Sequence, residues 1–77
     1  MNYPLYFENS KGERRIIGEA FDLKGAFDLI STFLVEHDYK SYYTRLSASV
    51  NEWQIDVGSH SEFFYISRDV VDNLDRP

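Results

Sequence analysis

From Trp53 to Val57 apolar and polar residues alternate, the polar run Gly58-Ser59-His60-Ser61 follows, and from Glu62 to Ile66 a second segment sets Phe64 and Ile66 on one side and the aromatics Phe63 and Tyr65 on the other. Two alternating segments around a short polar loop dictate an antiparallel hairpin, because side chains on a strand point to opposite faces with a period of two. With that loop as the connection, Val57 lies beside Glu62, Ile55 beside Phe64 and Trp53 beside Ile66, so one side is almost wholly apolar. Upstream, if Asn51-Glu52 is a two-residue connection, Val50 faces Trp53, Ala48 faces Ile55 and Leu46 faces Val57, on that same side. The opposite side then collects Tyr43, Arg45, Ser47, Gln54, Asp56, Phe63 and Tyr65. Asn51-Glu52 lacks the glycine that tight hairpin turns favour, which leaves a longer loop as the competing register.

An apolar sheet face needs a cover, and the chain supplies one candidate. After Asp22, a residue suited to capping a helix N-terminus, Leu23, Ala26, Phe27, Ile30, Phe33, Leu34 and His37 recur at the spacing that lines one side of a helix. Gly25 falls in the first turn, where it permits a close approach to the sheet. Four large residues on the stripe, each contributing about 1.5–3 kcal/mol when fully buried, hold such a helix against a sheet.

The first twenty residues form a second hairpin. Tyr3, Leu5 and Phe7 alternate with Pro4, Tyr6 and Glu8, Asn9-Ser10-Lys11-Gly12 provides turn chemistry, and Ile16 and Ile17 resume a β-branched run. Pro4, which has no N–H to donate, suggests an edge strand. If both pieces join one sheet, Tyr6, Arg15 and Ile17 are added to the face away from the helix. At the other end, Val70, Val71 and Leu74 suggest a last helical turn touching the edge of the core. The expected fold class is α+β: one helix on a mostly antiparallel sheet of four or five strands, in the order ββαβββ, with residues 1–77 forming a single domain.

Composition narrows function by exclusion. Seventy-seven residues suffice for one thin core and leave little room for an enclosed site. There is no cysteine, hence no disulfide framework, thiolate nucleophile or cysteine zinc site. The first residues lack a basic segment followed by a long apolar run, and no window reaches the length of a membrane span, so a cytoplasmic protein without a membrane partner is expected. Eight Lys and Arg against thirteen Asp and Glu give a net charge of −5, which opposes approach to a phosphate backbone.

Catalytic chemistry finds little support in the spacing. Ser59, His60, Ser61 and Glu62 carry nucleophile, base and acid by name, but consecutive residues diverge, whereas a triad needs groups that converge. A loop in which Gly58 supplies backbone freedom and the serines satisfy local amides accounts for the segment. His60 is then a contact residue at the loop rim or a solvated histidine. His37, on the apolar stripe, reads as a partly buried structural residue. Glu36, His37 and Asp38 are adjacent on a helix end and cannot all face one ion, so neither a metal nor a cofactor is expected. A ribonuclease arrangement of a histidine, a carboxylate and Arg45 is the weakest reading.

Aromatic residues interleaved with arginine have the composition of an interface core, while the second face of a one-helix sheet is ordinarily polar. The expected function is therefore a non-enzymatic protein-binding module whose contact residues are Tyr43, Arg45, Phe63 and Tyr65, with His60 at the rim. Two alternatives use the same face: a homodimer assembled across it, and a single-stranded nucleic-acid binder in which Tyr43, Phe63 and Tyr65 stack on bases while Arg15, Arg45 and Arg68 meet phosphates, against the net charge.

The segment Ile55-Asp56-Val57-Gly58-Ser59-His60-Ser61-Glu62-Phe63-Phe64, preceded by Lys40-Ser41-Tyr42-Tyr43-Thr44-Arg45, resembles short uncharacterised phage- and prophage-encoded proteins of Gram-positive bacteria. The resemblance covers about the C-terminal half and implies no activity for any residue. It implies a small accessory protein in a host bacterial cytoplasm, whose partner is a protein of the host or the phage and whose role is to modulate or inhibit it, anti-defence included.

Overall fold

Asp22 has extended backbone and its carboxylate accepts a 2.7 Å bond from the Gly25 amide, which starts helix α1 (Leu23–Glu36) at the residue the sequence suggests. A Cβ on Gly25 would meet that carboxylate oxygen at 3.0 Å, so the glycine makes room for the cap as well as for Ala20. At the other end Asp38 adopts a left-handed φ of 56°. The Tyr39 amide then bonds Leu34 O and the Asp38 amide bonds Val35 O, closing the helix with the paired bonds of a Schellman motif. Tyr39 folds back over Phe33 as a result, with ring centroids 6.1 Å apart.

The computed structural model describes residues 2–40, 44–59 and 61–73. Around α1 it has strands β1 (Tyr3–Glu8), β2 (Arg14–Ala20), β3 (Arg45–Ala48), β4 (Glu52–Asp56) and β5 (Phe63–Ser67), in the chain order ββαβββ. They form one antiparallel sheet of five strands in the order β2-β1-β5-β4-β3. The fold class is α+β, as the hydrophobic periods require. Leu5, Phe7, Ile55, Val57, Phe64 and Ile66 from the sheet meet Leu23, Ala26, Ile30, Phe33 and Leu34 from α1 in one buried core, joined by Ala20 and Val70. Phe33 packs on Phe7 and Phe64 at centroid distances of 4.8 and 5.7 Å.

The β4–β5 pairing has the expected register, with Ile55 opposite Phe64 and Trp53 opposite Ile66. Gly58 in the loop takes a φ of 97° that disfavours any side chain. Pairing of β3 with β4 departs from expectation by two residues: Leu46 lies opposite Ile55 and Ala48 opposite Trp53. The hairpin tip is Val50-Asn51, one residue earlier than Asn51-Glu52, and Val50 is 90% exposed instead of facing the helix side. Ser49 makes the difference. Its amide and hydroxyl both bond Glu52 O, and Arg68 holds the Ser49 and Asn51 carbonyls. A shift of two preserves face parity, so the apolar side still meets the core.

The first hairpin differs by parity. Asn9 is the hub of its turn: its side chain accepts from the Lys11 and Glu13 amides, and its backbone pairs with Glu13 around a tip that ends in Gly12 at φ 80°. That three-residue tip sets Glu8 opposite Arg14, Phe7 opposite Arg15 and Tyr6 opposite Ile16. A bulge at Ile17 then restarts pairing with Leu5 opposite Gly18. Arg15 and Ile17 therefore lie on the helix side, not on the outer face, and Arg14 and Ile16 replace them there. Gly18 is pressed against α1, where a Cβ would come within 3.1 Å of Leu29 Cδ1.

Pro4 is not on an edge strand, since β1 lies between β2 and β5. It is tolerated because β5 pairs only with Tyr6 to Glu8, leaving Pro4 beyond its end. After β5 the chain forms a turn, not a helix. Val70 is buried, Val71 makes a parallel bridge to Asp22, and Leu74 lies outside the described residues.

Candidate protein-binding face

Strand pairing places two rows of side chains across the face away from α1. One runs Ile16, Tyr6, Tyr65, Gln54 and Ser47; the other runs Arg14, Glu8, Phe63, Asp56 and Arg45. Glu52, on the same strand parity as Gln54, closes the rows at the far end of β4. No element lies over this face among the described residues. Tyr6, Phe63 and Tyr65 are nonetheless half-buried, because neighbouring side chains lie down across the sheet.

Over Tyr65 the covering side chain is Arg14. Its guanidinium carbon sits 3.9 Å from the centre of the Tyr65 ring, its Nε bonds Glu8 Oε2 at 3.1 Å and its Nη1 bonds Glu52 Oε2 at 2.9 Å. The side chain thus reaches from β2 past β1 and β5 to β4. Tyr65 is held at its other end by Gln54, which donates to the phenolic oxygen at 3.0 Å, while the phenol donates to Glu8 Oε1 at 3.4 Å. The bond to Glu52 is the main reason the Arg14 pKa is raised above its ordinary value. Partial burial opposes this, and Glu8 adds to it. Cation, ring and two carboxylates therefore form one cluster, the guanidinium over the ring and bonded through Nε and Nη1 to a carboxylate each.

Of the residues singled out from sequence, Phe63, Tyr65 and Arg45 share this face. Tyr43 and His60 lie outside the described residues. Arg45 is exposed on β3, at the edge of the sheet; the cation over the Tyr65 ring is Arg14. The sequence held a signal for it: an asparagine followed three residues later by glycine marks a three-residue tip, which makes Glu8 and Arg14 partners on one face.

The loop after β4 is structural where it is described. Ser59 Oγ accepts from the Glu62 amide at 3.2 Å and donates to the Glu62 carboxylate at 3.0 Å, and Asp56 accepts from the Gly58 amide at 2.8 Å. The Ser59 hydroxyl is committed to its own turn. His37 is exposed, not partly buried: it caps α1 and its ring lies tilted against Phe33 with centroids 4.2 Å apart. Among the described residues no three His, Asp or Glu side chains cluster as a metal site, and no helix is long and apolar enough to cross a membrane. A cavity of about 40 Å³ between Tyr39, Lys40, Ser59 and Glu62 has room for little more than water. No protein-family model, curated protein or solved structure matches the chain.

Proposed function

We propose that this chain is a small non-enzymatic protein-binding module that uses the uncovered sheet face, and that it serves as a phage or prophage accessory protein modulating or inhibiting a host protein. One observation carries the binding reading. Arg14 lies over Tyr65 and is clamped between Glu8 and Glu52, with Tyr6 and Phe63 on the same face, so aromatic surface and a directional cation are already ordered before a partner arrives. Interface hot spots are rich in these side chains, and ordering them in advance removes an entropic cost of association. The accessory role rests on the likeness of the C-terminal half to phage and prophage proteins.

The test is an affinity pull-down from a nuclease-treated Gram-positive lysate, comparing the wild-type chain with a Phe63→Ser, Arg45→Glu variant of verified fold. The expected result is a protein captured stoichiometrically by the wild type and lost from the variant. Capture unaffected by both changes overturns the choice of face. Recovery of the bait alone, with light scattering at twice the chain mass that falls to one in the variant, replaces the binder with a homodimer.

A further inference from the structure

Strand β2 is an edge of the sheet, and an edge strand presents unpaired backbone N–H and C=O groups to any chain that comes alongside. What distinguishes this edge is its neighbour. A shallow groove of about 270 Å³ runs beside it, with Arg15, Ile16 and Ile17 of β2 on one side and Phe33, Glu36 and His37 of α1 on the other. An exposed strand edge bordering a helix-walled groove is the arrangement by which peptides are bound through strand addition, the backbone supplying affinity and alternate side chains entering the groove.

Strand parity gives this edge its chemistry. Ile17, two residues after Arg15, faces the helix side, packs against the core and lines the groove together with Phe33. The bulge at Ile17 interrupts the regular ladder, so the edge can accept a short extended segment but not template a long sheet. Arg15 stands at the groove's end. Its guanidinium lies 5.6 Å from the Phe33 ring centre, and no carboxylate among the described residues is within ion-pair distance of it, in contrast to the doubly bonded Arg14. Arg15 also lines a second groove of about 420 Å³ with Phe7 and Tyr39, so its charge is presented from both sides.

We propose that the β2 edge binds an extended peptide segment of another protein, with an aliphatic side chain over Ile17 and Phe33 and, two residues away, a carboxylate on Arg15. Side chains two apart on a strand fall on one face about 6.6 Å from each other, as the sites beside Arg15 and Ile17 demand. One carboxylate suits the groove better than two, because Glu36 on the helix wall repels a second. A second copy of this chain is the poorer occupant: antiparallel pairing centred on Ile16 sets Arg15 against Ile17, which brings no carboxylate to Arg15. This site is separate from the outer sheet face and stands or falls without it.

The test pans a display library of short random peptides on the immobilised chain, then titrates the enriched peptide into isotope-labelled protein. Expected are sequences with an acidic residue two positions from an aliphatic one, and amide shifts confined to residues 14–18 and 33–37. Affinity should fall about tenfold in Arg15→Glu, the loss of one charge-assisted bond. Methylating alternate peptide amides should abolish binding. Arg15 is exposed, and an unchanged amide spectrum elsewhere establishes that the variant folds. The proposal is overturned by no enrichment above the bare support, by equal affinity for Arg15→Glu, by shifts on the outer sheet face instead, or by a concentration-dependent dimer that shifts the β2 amides without peptide.

Discussion

Removing the Arg14 side chain should loosen the sheet measurably, although the residue lies on the surface. Adjacent strands are about 4.8 Å apart, so the three strand steps from β2 to β4 amount to roughly 14 Å. Only a long, extended side chain with donors at its tip can join Glu52 to β2 over that span. The two ion pairs have side-chain exposures of 36% for Arg14, 23% for Glu8 and 29% for Glu52, so solvent screens them and together they are worth about 1 kcal/mol. Stacking on Tyr65 adds about 0.5–1 kcal/mol. Arg14→Ala should therefore cost about 1–2 kcal/mol, a fall in Tm of roughly 5–15 °C for a domain of this size. Chemical denaturation of Arg14→Ala, Glu52→Gln and the double variant gives the coupling between the two residues, expected at about 0.5–1 kcal/mol and reduced by salt. Arg14→Lys should recover little, because a shorter ammonium cannot stack on the ring and hold two carboxylates at once. A coupling of zero, or full recovery by lysine, would refute the account of a clamp ordered in advance.

Two further outcomes test the fold beneath the site. Phe64→Ala removes a fully buried ring that contacts Phe7 and Phe33, and should cost about 3–5 kcal/mol of a total stability of roughly 4–12 kcal/mol; the urea midpoint should fall by at least about a quarter of its wild-type value, and an unchanged midpoint would remove Phe64 from the core. Asp38→Gly relieves a left-handed backbone at the end of α1 and should raise stability by about 0.5–1 kcal/mol, read as a higher Tm without change in the circular dichroism spectrum.

How far the sequence reaches depends on what each residue needs to know. Asp22, the stripe from Leu23 to Leu34 and the alternation from Trp53 to Ile66 specify their elements because cap, period and parity are local properties. A four-residue loop would put Arg15 on the outer face and the three-residue tip puts Arg14 there, because face assignment in a hairpin depends on loop length and one residue more or less inverts it. Bulges have the same consequence: the extra residue at Ile17 carries Gly18 to the helix side, opposite Leu5. Phe63 and Tyr65 were legible as outer-face aromatics, but their half-burial was not, since the arginine that lies over Tyr65 comes from the far hairpin.

Composition and periodicity alone determine an α+β chain with one helix, a hairpin, a three-stranded meander and a core of Leu5, Phe7, Ile30, Phe33, Ile55, Phe64 and Ile66. Tertiary structure decides that β1 lies against β5, which brings Glu8 beside Phe63 and carries Arg14 within reach of Glu52. It also leaves β2 as an edge beside α1. The division has a physical cause: hydrophobic burial is blind to which strands are neighbours as long as every apolar face meets the core, whereas ion pairs, ring stacking and edge grooves exist only between particular neighbours.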